Sequence, residues 1–389
     1  MAKREFFHAT KVVSGAGCVA QTGEEVVRLG AKKALIITDG FLAASPIYAK
    51  VTASLDEAGV AYITYDKVRP NPRTTDCDDT CDLAKAEQVD LLIGLGGGSS
   101  MDQAKTTAAL VTNGGKCVEW DYVELPNRML PTICIPTTAG TGSEVTFCAV
   151  ITDEEKKYKM SVMDVYNLRP DVAIADPELL LSLPPSLTAS TGVDALTHAI
   201  EAYTCTVHQP LTDALALHAI ELIGQNLVTA VEHGDDLAAR ENMLNASLMA
   251  GAAFINSNVG AVHAISETIG AWYDTPHGVG NSMFLPYIME YNIPACPERF
   301  AKIAVQLGID AADKTEEELA LEAVAYVKEL NARVKIPKLR DLEYIKEENF
   351  EAIAQRSADN PLSDDNARPI DKDGYLEVLR KAYGDLSDS

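Results

Sequence analysis

Four residues in the second half of the chain have the side-chain types and the spacing of a metal site. Asp194 and His198 lie four positions apart in TGVDALTHAIEAY, and on a helix this spacing places a carboxylate and an imidazole on one face. His263 in GAVHAISE and His277 in TPHGVGN can supply two more imidazole nitrogens. One carboxylate oxygen and three imidazoles suit a divalent transition metal such as iron, zinc, manganese or cobalt. Spacing alone leaves open the alternative that these are ordinary helix residues.

Two glycine-rich turns upstream of these residues indicate a nucleotide site. In VDLLIGLGGGSSMDQAK, an apolar strand over residues 89–95 runs into three glycines and a serine before a helix. Glycine lets the backbone approach a ligand closely, and the start of a helix offers unpaired N–H groups and a positive dipole end to a pyrophosphate. A second such turn, residues 137–143, follows an apolar strand at residues 133–135 in MLPTICIPTTAGTGSE. Either turn alone is a weak signal, but the pair predicts a nucleotide-dependent enzyme.

The motifs GGGSSMDQAK, PTTAGTGSE, GVDALTHAIEAY and VHAISETIGAWYDTPHG make the chain resemble the iron-containing (group III) alcohol dehydrogenases, over about Ala2 to Tyr383. The resemblance implies an α/β N-terminal dinucleotide-binding domain with a parallel sheet, followed by an all-α metal-binding domain, in a dehydroquinate synthase-like architecture. It also implies an NAD(P)-linked enzyme that interconverts a small primary alcohol or diol and its aldehyde at a divalent metal. Fe²⁺ is the expected ion, with Zn²⁺ or Mn²⁺ as alternatives.

The same resemblance assigns residues to each site. The implied metal ligands are Asp194, His198, His263 and His277. The implied cofactor-binding residues are Asn71, Gly96, Gly97, Gly98, Ser99, Asp102, Thr137, Thr138, Thr141, Thr146 and Lys159, of which the glycines, Ser99 and Asp102 would hold the pyrophosphate. The implied substrate pocket is formed by Phe147, Ile151, Phe254 and Leu362.

One position departs from the family pattern. Many members have a second histidine four residues beyond the third ligand, where this chain has Glu267. If AVHAISETIGAW is helical, Glu267 lies one turn after His263, where its carboxylate could relay a proton from the bound alcohol to water. It could instead orient a ligand imidazole through a hydrogen bond. The sequence leaves both roles open.

Two features near the N-terminus bear on the nucleotide. GAGCVA, with Gly15, Gly17 and Ala20, fits the dinucleotide fingerprint, but no buried strand precedes it, so we predict a structural turn. Asp39 ends the apolar strand KALIITD, where a carboxylate can accept hydrogen bonds from the adenosine ribose and repel a 2′-phosphate. This predicts NAD rather than NADP. The alternative is that Asp39 caps a helix in the turn Asp39–Gly40.

The organisation of the chain changes near the two prolines at 184 and 185. Upstream, apolar strands alternate with helical segments, as in a parallel sheet with crossover helices. Downstream only helical spacing remains, which predicts domains 1–184 and 185–389, with Ser186 as a helix cap and the reacting groups meeting in a cleft between the halves. In the segment LTDALALHAIELIGQNLVTAVE, the stripe predicted to face the core is Leu211, Leu215, His218 and Leu222.

Composition narrows the partners and the compartment. A formal net charge of −24 argues against nucleic acid or an anionic membrane surface as a partner. Eight scattered cysteines predict the reducing cytoplasm, and Cys77 and Cys81 are interpreted as part of a surface helix start. A signal peptide or transmembrane span is not expected. We expect a small-molecule substrate and a homodimer or higher homo-oligomer.

Three functions compete at this point. The favoured one is a metal-dependent, NAD-linked alcohol dehydrogenase or aldehyde reductase. The second is a glycerol dehydrogenase-like or dehydroquinate synthase-like enzyme, which would also combine a nucleotide with a metal. The third is a non-enzymatic NAD-sensing protein, which would not need an open metal position.

Overall fold

The computed structural model describes residues 4–384, which form two compact units. One unit comprises residues 7–183, and the other comprises residues 184–384 together with residues 4–6. The division therefore lies one residue before the predicted boundary at 184, and residues 4–6 group with the helical unit rather than with the first domain.

The first unit is built on a six-stranded, wholly parallel sheet with the strand order β1-β8-β5-β4-β2-β3. Its strands are β1 (Lys11–Ser14), β2 (Lys33–Ile37), β3 (Ala61–Tyr65), β4 (Leu91–Gly96), β5 (Thr132–Pro136) and β8 (Val172–Ala175). The antiparallel pair β6 (Cys148–Asp153) and β7 (Tyr158–Met163) forms a separate hairpin. Strands β4, β5 and β8 are buried along their whole length, whereas the edge strands β1 and β3 are largely exposed or half-buried. Burial on both faces explains why the central strands are continuous apolar runs, and the predicted parallel sheet is confirmed.

The order of the strands places a topological switch point between β2 and β4. From β2 the chain adds β3 on one side and then crosses back to place β4 on the other side of β2. Ligands of open parallel sheets bind at such a switch point, beyond the carboxyl ends of the two strands. Asp39 follows β2 and Gly96 ends β4, so both flank this point.

Five helices complete the sheet unit: α1 (Thr22–Arg28), α2 (Gly40–Ala43), α3 (Pro46–Glu57), α4 (Thr74–Ala86) and α5 (Gly98–Asn113). The surface position predicted for Cys77 and Cys81 is wrong, because both side chains are buried in the core beneath α4. Their spacing of four residues puts the two thiols on one helix face, while the surrounding aspartates occupy the other positions. The acidic composition of the segment hid its apolar face.

The second unit is helical throughout its described residues. Its helices are α6 (Pro185–Thr204), α7 (Pro210–Glu232), α8 (Leu237–Phe254), α9 (Ala261–Tyr273), α10 (His277–Asn292), α11 (Pro297–Gln306), α12 (Glu316–Arg333), α13 (Phe350–Ala358) and α14 (Lys372–Gly384). Helix α6 is the central helix, since nearly every residue from Thr188 to Thr204 is buried. It starts at Pro185 with Pro184 as its N-cap, so the prediction that Ser186 caps it is wrong. Proline at the first helical position is already preset for the helix.

The predicted core face of α7 is also wrong. Leu211 is 57% exposed, and His218 lies on the surface with its Nδ1 3.0 Å from Glu221 Oε2. The buried face instead carries small residues such as Ala216 and Ala219, which let α7 approach its neighbours closely. Among the described residues, α7 is the one helix long and apolar enough to cross a membrane by length and composition, which is weak evidence because core helices of bundles pass the same test.

Helix α10 contains a proline in its interior. Pro286 has no N–H to donate, so the carbonyl of Ser282, four residues earlier, lacks its helical partner. The side-chain amide of Asn331, on α12, donates to this carbonyl at 2.7 Å. A side chain from another helix thus replaces the missing backbone hydrogen bond.

Candidate metal centre and cofactor turns

Three helices of the second unit bring the four predicted metal ligands together. Helix α6 presents Asp194 and His198 one turn apart, α9 carries His263 in its first turn, and α10 begins with His277. One ligand atom from each residue lies within 4.8 Å of all the others. Three of these side chains are buried, while that of His277 is 28% exposed. The cluster is therefore enclosed on most sides and accessible beside His277.

The donor set suits a cation. Asp194 Oδ1, His263 Nε2 and His277 Nε2 lie 2.7, 3.0 and 3.1 Å from the amide nitrogen of Asn281. Acceptor atoms gathered this closely repel one another unless a positively charged group or a hydrogen-bond donor lies among them. One carboxylate and three imidazoles form the ligand chemistry of a divalent transition metal, so the residues fit the ion that the sequence predicts.

The electrostatics around His263 point the same way. Its Nδ1 lies 2.5 Å from Glu201 Oε2. Burial alone would lower the pKa of His263, but the hydrogen bond to Glu201 and the charges of Glu201, Asp194 and Glu267 raise it above its ordinary value. The surrounding carboxylates thus favour positive charge at this place, and a metal cation would also supply that charge.

Sequence reasoning missed two residues of this centre, Glu201 and Asn281. Both were detectable in principle, because Glu201 follows His198 by three residues and Asn281 follows His277 by four on the same helix. Each spacing places a polar side chain on the face that carries a ligand.

The side chains next to the ligands are of two kinds. The ring of Phe254 stacks on that of His198, with a centroid separation of 4.5 Å. Glu267 is half-buried, and its Oε2 accepts a hydrogen bond from Asn360 Nδ2 at 3.0 Å. The Oδ1 of Asn360 in turn accepts from the backbone N–H of Leu362. An apolar ring and a carboxylate thus lie next to the ligand cluster.

In the sheet unit, the two glycine-rich turns lie side by side. Gly96 ends β4 with φ +146°, and its carbonyl accepts a hydrogen bond from the N–H of Thr137 at the end of β5. A Cβ on Gly98 would lie 2.7 Å from Thr141 Cγ2, so a side chain there would not fit. Thr138 also contacts the first turn, with its Oγ1 3.4 Å from the Cβ position of Gly97. The structure therefore places the glycines predicted to hold the pyrophosphate beside the threonines predicted to contact the rest of the cofactor.

Two side chains of helix α5, Lys105 and Asp102, form hydrogen bonds with the second turn and the residues that follow it. The buried Lys105 Nζ donates to the carbonyls of Ser143 and Cys148 and to Thr146 Oγ1, and it lies 3.3 Å from Asp102 Oδ1. Asp102 also accepts hydrogen bonds from Ser143 Oγ and from the backbone of Val150. Asp102 thus joins α5 to the neighbouring turn and to β6 in this structure, and its predicted contact with pyrophosphate stays a prediction.

The other predicted residues of the sheet unit have different surroundings. Lys159 Nζ donates to Asn71 Oδ1 at 3.0 Å, so this predicted pair is adjacent. Phe147 is nearly buried and packs edge-on against Phe7, at a centroid distance of 6.3 Å. Ile151 is fully buried in the core of the unit. The pocket predicted from Phe147, Ile151, Phe254 and Leu362 draws two residues from each unit and stays a prediction.

Asp39 caps a helix, as the alternative interpretation held. Its Oδ1 accepts from the backbone N–H groups of Phe41 and Leu42 at 2.8 and 2.9 Å, at the start of α2. Both bonds use the same oxygen, so capping is compatible with a ribose contact through Oδ2. A Cβ on Gly96 would lie 3.4 Å from Leu42 Cδ1, which places the capped helix beside the first glycine turn. The ribose contact itself stays a prediction.

The turn in GAGCVA is structural, as predicted. The backbone N–H groups of Gly17 and Val19 donate to the two carboxylate oxygens of Asp176, at 3.1 and 3.0 Å. A protein carboxylate thus takes the position that an anion would need at this short 3₁₀ helix.

The fold and the cluster together define the class: a parallel-sheet unit with paired glycine turns, followed by a helical unit that can hold one divalent metal. The family sequence model described as iron-containing alcohol dehydrogenase matches residues 9–177, and that of the Fe-containing alcohol dehydrogenase family, C-terminal, matches residues 188–383. The chain belongs to the iron-containing alcohol dehydrogenase family, which confirms the resemblance found in its motifs. It is an oxidoreductase of the alcohol dehydrogenase type.

Similar proteins span the whole chain. The NAD-dependent methanol dehydrogenase of Bacillus methanolicus is 38% identical over 378 residues, covering 97% of this chain and 99% of that protein. The 1,3-propanediol dehydrogenase of Klebsiella pneumoniae is 40% identical and covers 95% of this chain and 96% of its own length. Among solved structures, a 1,3-propanediol oxidoreductase superposes with a TM-score of 0.95 at 37% identity, over 98% of this chain and 100% of that chain.

Proposed function

We propose that the protein is a metal-dependent, NAD(H)-linked oxidoreductase that interconverts a small primary alcohol or diol and its aldehyde. The observation that carries this proposal is the cluster of Asp194, His198, His263 and His277, whose ligand atoms lie within 4.8 Å of one another. Matches to one family over both halves of the chain favour it over the glycerol dehydrogenase-like, dehydroquinate synthase-like and NAD-sensing alternatives.

The residues of the helical unit have distinct parts in this function. Asp194 and the three histidines would hold Fe²⁺, which would supply Lewis-acid stabilisation of negative charge on the substrate oxygen, while NAD would supply the hydride chemistry. Phe254 packs on the ring of His198 and limits the access of water to that ligand. Glu267, held by Asn360, accepts the proton of the substrate hydroxyl and passes it to solvent.

The residues of the sheet unit bind the nucleotide. The first-turn N–H groups of α5, at Gly98 and Ser99, have no carbonyl partners within their own helix and face the pyrophosphate. Thr137, Thr138 and Thr141 from the adjacent turn, with Asn71, Asp102, Thr146 and Lys159, complete the cofactor site. Asp39, whose Oδ2 is not used in capping α2, would accept hydrogen bonds from the adenosine ribose and would disfavour a 2′-phosphate by like-charge repulsion. NAD is therefore the expected cofactor.

The substrate is a small alcohol or aldehyde. Relatives that act on methanol and on 1,3-propanediol, by their names, support a short carbon chain with or without a second hydroxyl. Phe254, which stacks on the ring of the ligand His198, would limit its length, together with Leu362, Phe147 and Ile151. We further propose that the enzyme works in the cytoplasm as a homo-oligomer. Eight free cysteines suit a reducing compartment, and light scattering would measure the assembly.

The test is a panel of aldehydes assayed with the purified protein. The protein is stripped of metal, reloaded anaerobically with Fe²⁺, Zn²⁺ or Mn²⁺, and mixed with NADH or NADPH and a short, a hydroxylated or a charged aldehyde. We expect NADH oxidation with a short aldehyde that depends on the metal. Full activity in the stripped protein would overturn the metal assignment, and a preference for NADPH would overturn the assignment of Asp39. NADH binding without turnover of any substrate would favour the sensing protein.

A further inference from the structure

Glu201 joins two elements of the metal centre without being one of the four ligands. It lies on α6, three residues after His198, and its side chain is almost fully buried. Its Oε2 lies 2.5 Å from His263 Nδ1, and its Oε1 accepts the backbone N–H of Val262 at 2.7 Å. Each carboxylate oxygen therefore faces a different group of α9.

The start of α9 depends on side chains from elsewhere. Its N-cap is Gly260, which offers no side chain of its own. Glu201 bonds the N–H of Val262, and Asn366 Oδ1 bonds that of Ala261 at 3.3 Å. A Cβ on Gly260 would lie 3.0 Å from Asn366 Oδ1 and 3.2 Å from Glu201 Oε1, so the glycine leaves the space that both side chains occupy. An unpaired buried N–H would otherwise destabilise the helix.

The contact between Glu201 Oε2 and His263 Nδ1 determines which nitrogen of His263 is available to bind a metal. A carboxylate oxygen only accepts, so the neutral imidazole must carry its proton on Nδ1 to bond Glu201. Its lone pair is then on Nε2, the nitrogen that lies among the other ligand atoms, 3.0 Å from Asn281 Nδ2. The opposite tautomer would place a proton where a metal ligand is needed.

We propose that Glu201 is a positioning residue that fixes the tautomer and orientation of His263 for metal binding while it caps the helix that carries this histidine. Both functions require an acceptor, and only a carboxylate presents an acceptor at both of its terminal atoms. Glutamine has the same shape but one acceptor and one donor. Whichever way its amide turns, either Val262 N–H or His263 Nδ1–H faces an N–H₂ group.

The test separates metal binding from helix capping by comparing two variants in the full-length protein. In Glu201→Gln the expected result is a 10–100-fold weaker affinity for Zn²⁺ or Fe²⁺, measured by competition with a chelator, as for other residues that orient a ligand imidazole. The control is Asn366→Ala, which removes a cap of α9 but no contact of His263. It should lower the melting temperature of the metal-free protein and leave metal affinity unchanged.

A spectroscopic measurement makes the outcome independent of whether the variants fold. In ¹⁵N-histidine-labelled, metal-free wild-type protein at a pH where His263 is neutral, its resonances should show the Nδ1–H tautomer. Finding the Nε2–H tautomer would overturn the proposal, and so would unchanged metal affinity in a folded Glu201→Gln protein. The proposal rests on the proposed function only in taking the four residues as metal ligands. A wild-type protein that binds no metal would refute that function. Equal metal affinity in wild type and Glu201→Gln would refute only the role of Glu201.

Discussion

At the scale of single residues, the metal ligands and the glycine turns belong to different units of the chain. The ligands lie on α6, α9 and α10, and the turns follow β4 and β5. We therefore expect His277→Ala to abolish turnover and to lower metal content, while NADH still binds. Metal analysis and a fluorescence titration with NADH measure the two effects separately.

The matched control for this prediction is His218→Ala, which removes an exposed histidine of α7 that pairs with Glu221. It should keep both metal and activity. Normal turnover in a metal-depleted His277→Ala protein would contradict the prediction.

Glu267 stands where the sequence motif of many family members has a histidine. One of its carboxylate oxygens accepts a hydrogen bond from Asn360, so a substitution at this position must keep an acceptor for Asn360. Glutamine can keep an acceptor toward Asn360 but cannot take up a proton. We expect Glu267→Gln to reduce turnover and to remove one ionisation from the pH–rate profile, with metal content unchanged. A loss of metal affinity before any loss of turnover would instead assign Glu267 to orientation of a ligand. No change in rate, profile and metal content would exclude both roles.

At the scale of elements, α5 holds the end of the second glycine-rich turn and the residues after it through Lys105 and Asp102. Lys105 is fully buried and bonds two carbonyls and a hydroxyl of the segment Ser143–Cys148, next to Asp102. Lys105→Met would leave these acceptors and the Asp102 carboxylate without their cation, at a cost of about 3–5 kcal/mol. If part of this free energy is lost in the turn, the turn becomes disordered and must be ordered again when NADH binds. We therefore expect the affinity for NADH to fall at least roughly tenfold, with unchanged metal content.

The control for Lys105 is Lys116→Met, which alters a lysine whose side chain is 60% exposed and lies 3.6 Å from Asp78. Exposed pairs of this kind contribute little to stability. Calorimetry with NADH should give the wild-type affinity for this variant. If Lys105→Met also retains that affinity, the turn does not depend on α5.

Glu144, directly after the second glycine-rich turn, makes the stability of the sheet unit depend on pH. Burial raises the pKa of its carboxyl from 4.5 to about 7, although a backbone hydrogen bond and the charge of Lys105 act in the opposite direction. A carboxyl whose pKa is raised by folding stabilises the folded state while it is protonated. The contribution of Glu144 to the free energy of unfolding is complete below about pH 4.5. It falls by on the order of 3 kcal/mol as the pH rises through 7.

Comparing Glu144→Gln with wild type isolates this dependence, because all other ionisations are shared. The glutamine variant should gain stability relative to wild type as the pH rises from 5 to 8, as measured by denaturant unfolding. A constant difference across this range would mean that Glu144 ionises normally.

The elements were predictable where periodicity and composition agreed. Continuous apolar runs followed by glycine-rich segments identified β4 and β5, and the Asp194–His198 spacing identified a ligand-bearing helix. Helix α7 failed because apolar residues occur around much of its circumference, so hydropathy could not select the face that small side chains bury. The spacing of Glu201 from His198 could have placed it on the ligand-bearing face of α6, but its contact with His263, 62 residues away, is not encoded in local spacing.

At the scale of the whole molecule, the metal and the nucleotide each have their expected residues within one unit. A ligand present at 100 times its Kd stabilises the state that binds it by about 2.7 kcal/mol. Hydrogen exchange should therefore show that metal mainly protects α6, α9 and α10, and that NADH mainly protects the turns after β2, β4 and β5. Metal-induced protection confined to the strands would contradict the assignment of the ligands. The His277→Ala protein, treated with the same metal, provides the control.

The interior proline of α10 has a consequence for the order of events during synthesis. The carbonyl of Ser282 cannot form its hydrogen bond until Asn331 has been synthesised, 49 residues later. At ordinary translation rates of about 5–20 residues per second, that delay is a few seconds. During this interval the nascent chain already contains His277 and Asn281, but the helix that bears them lacks the side chain that completes its hydrogen bonding. A ribosome-bound chain ending before α12 should therefore hold its metal ligands less firmly than the finished protein does.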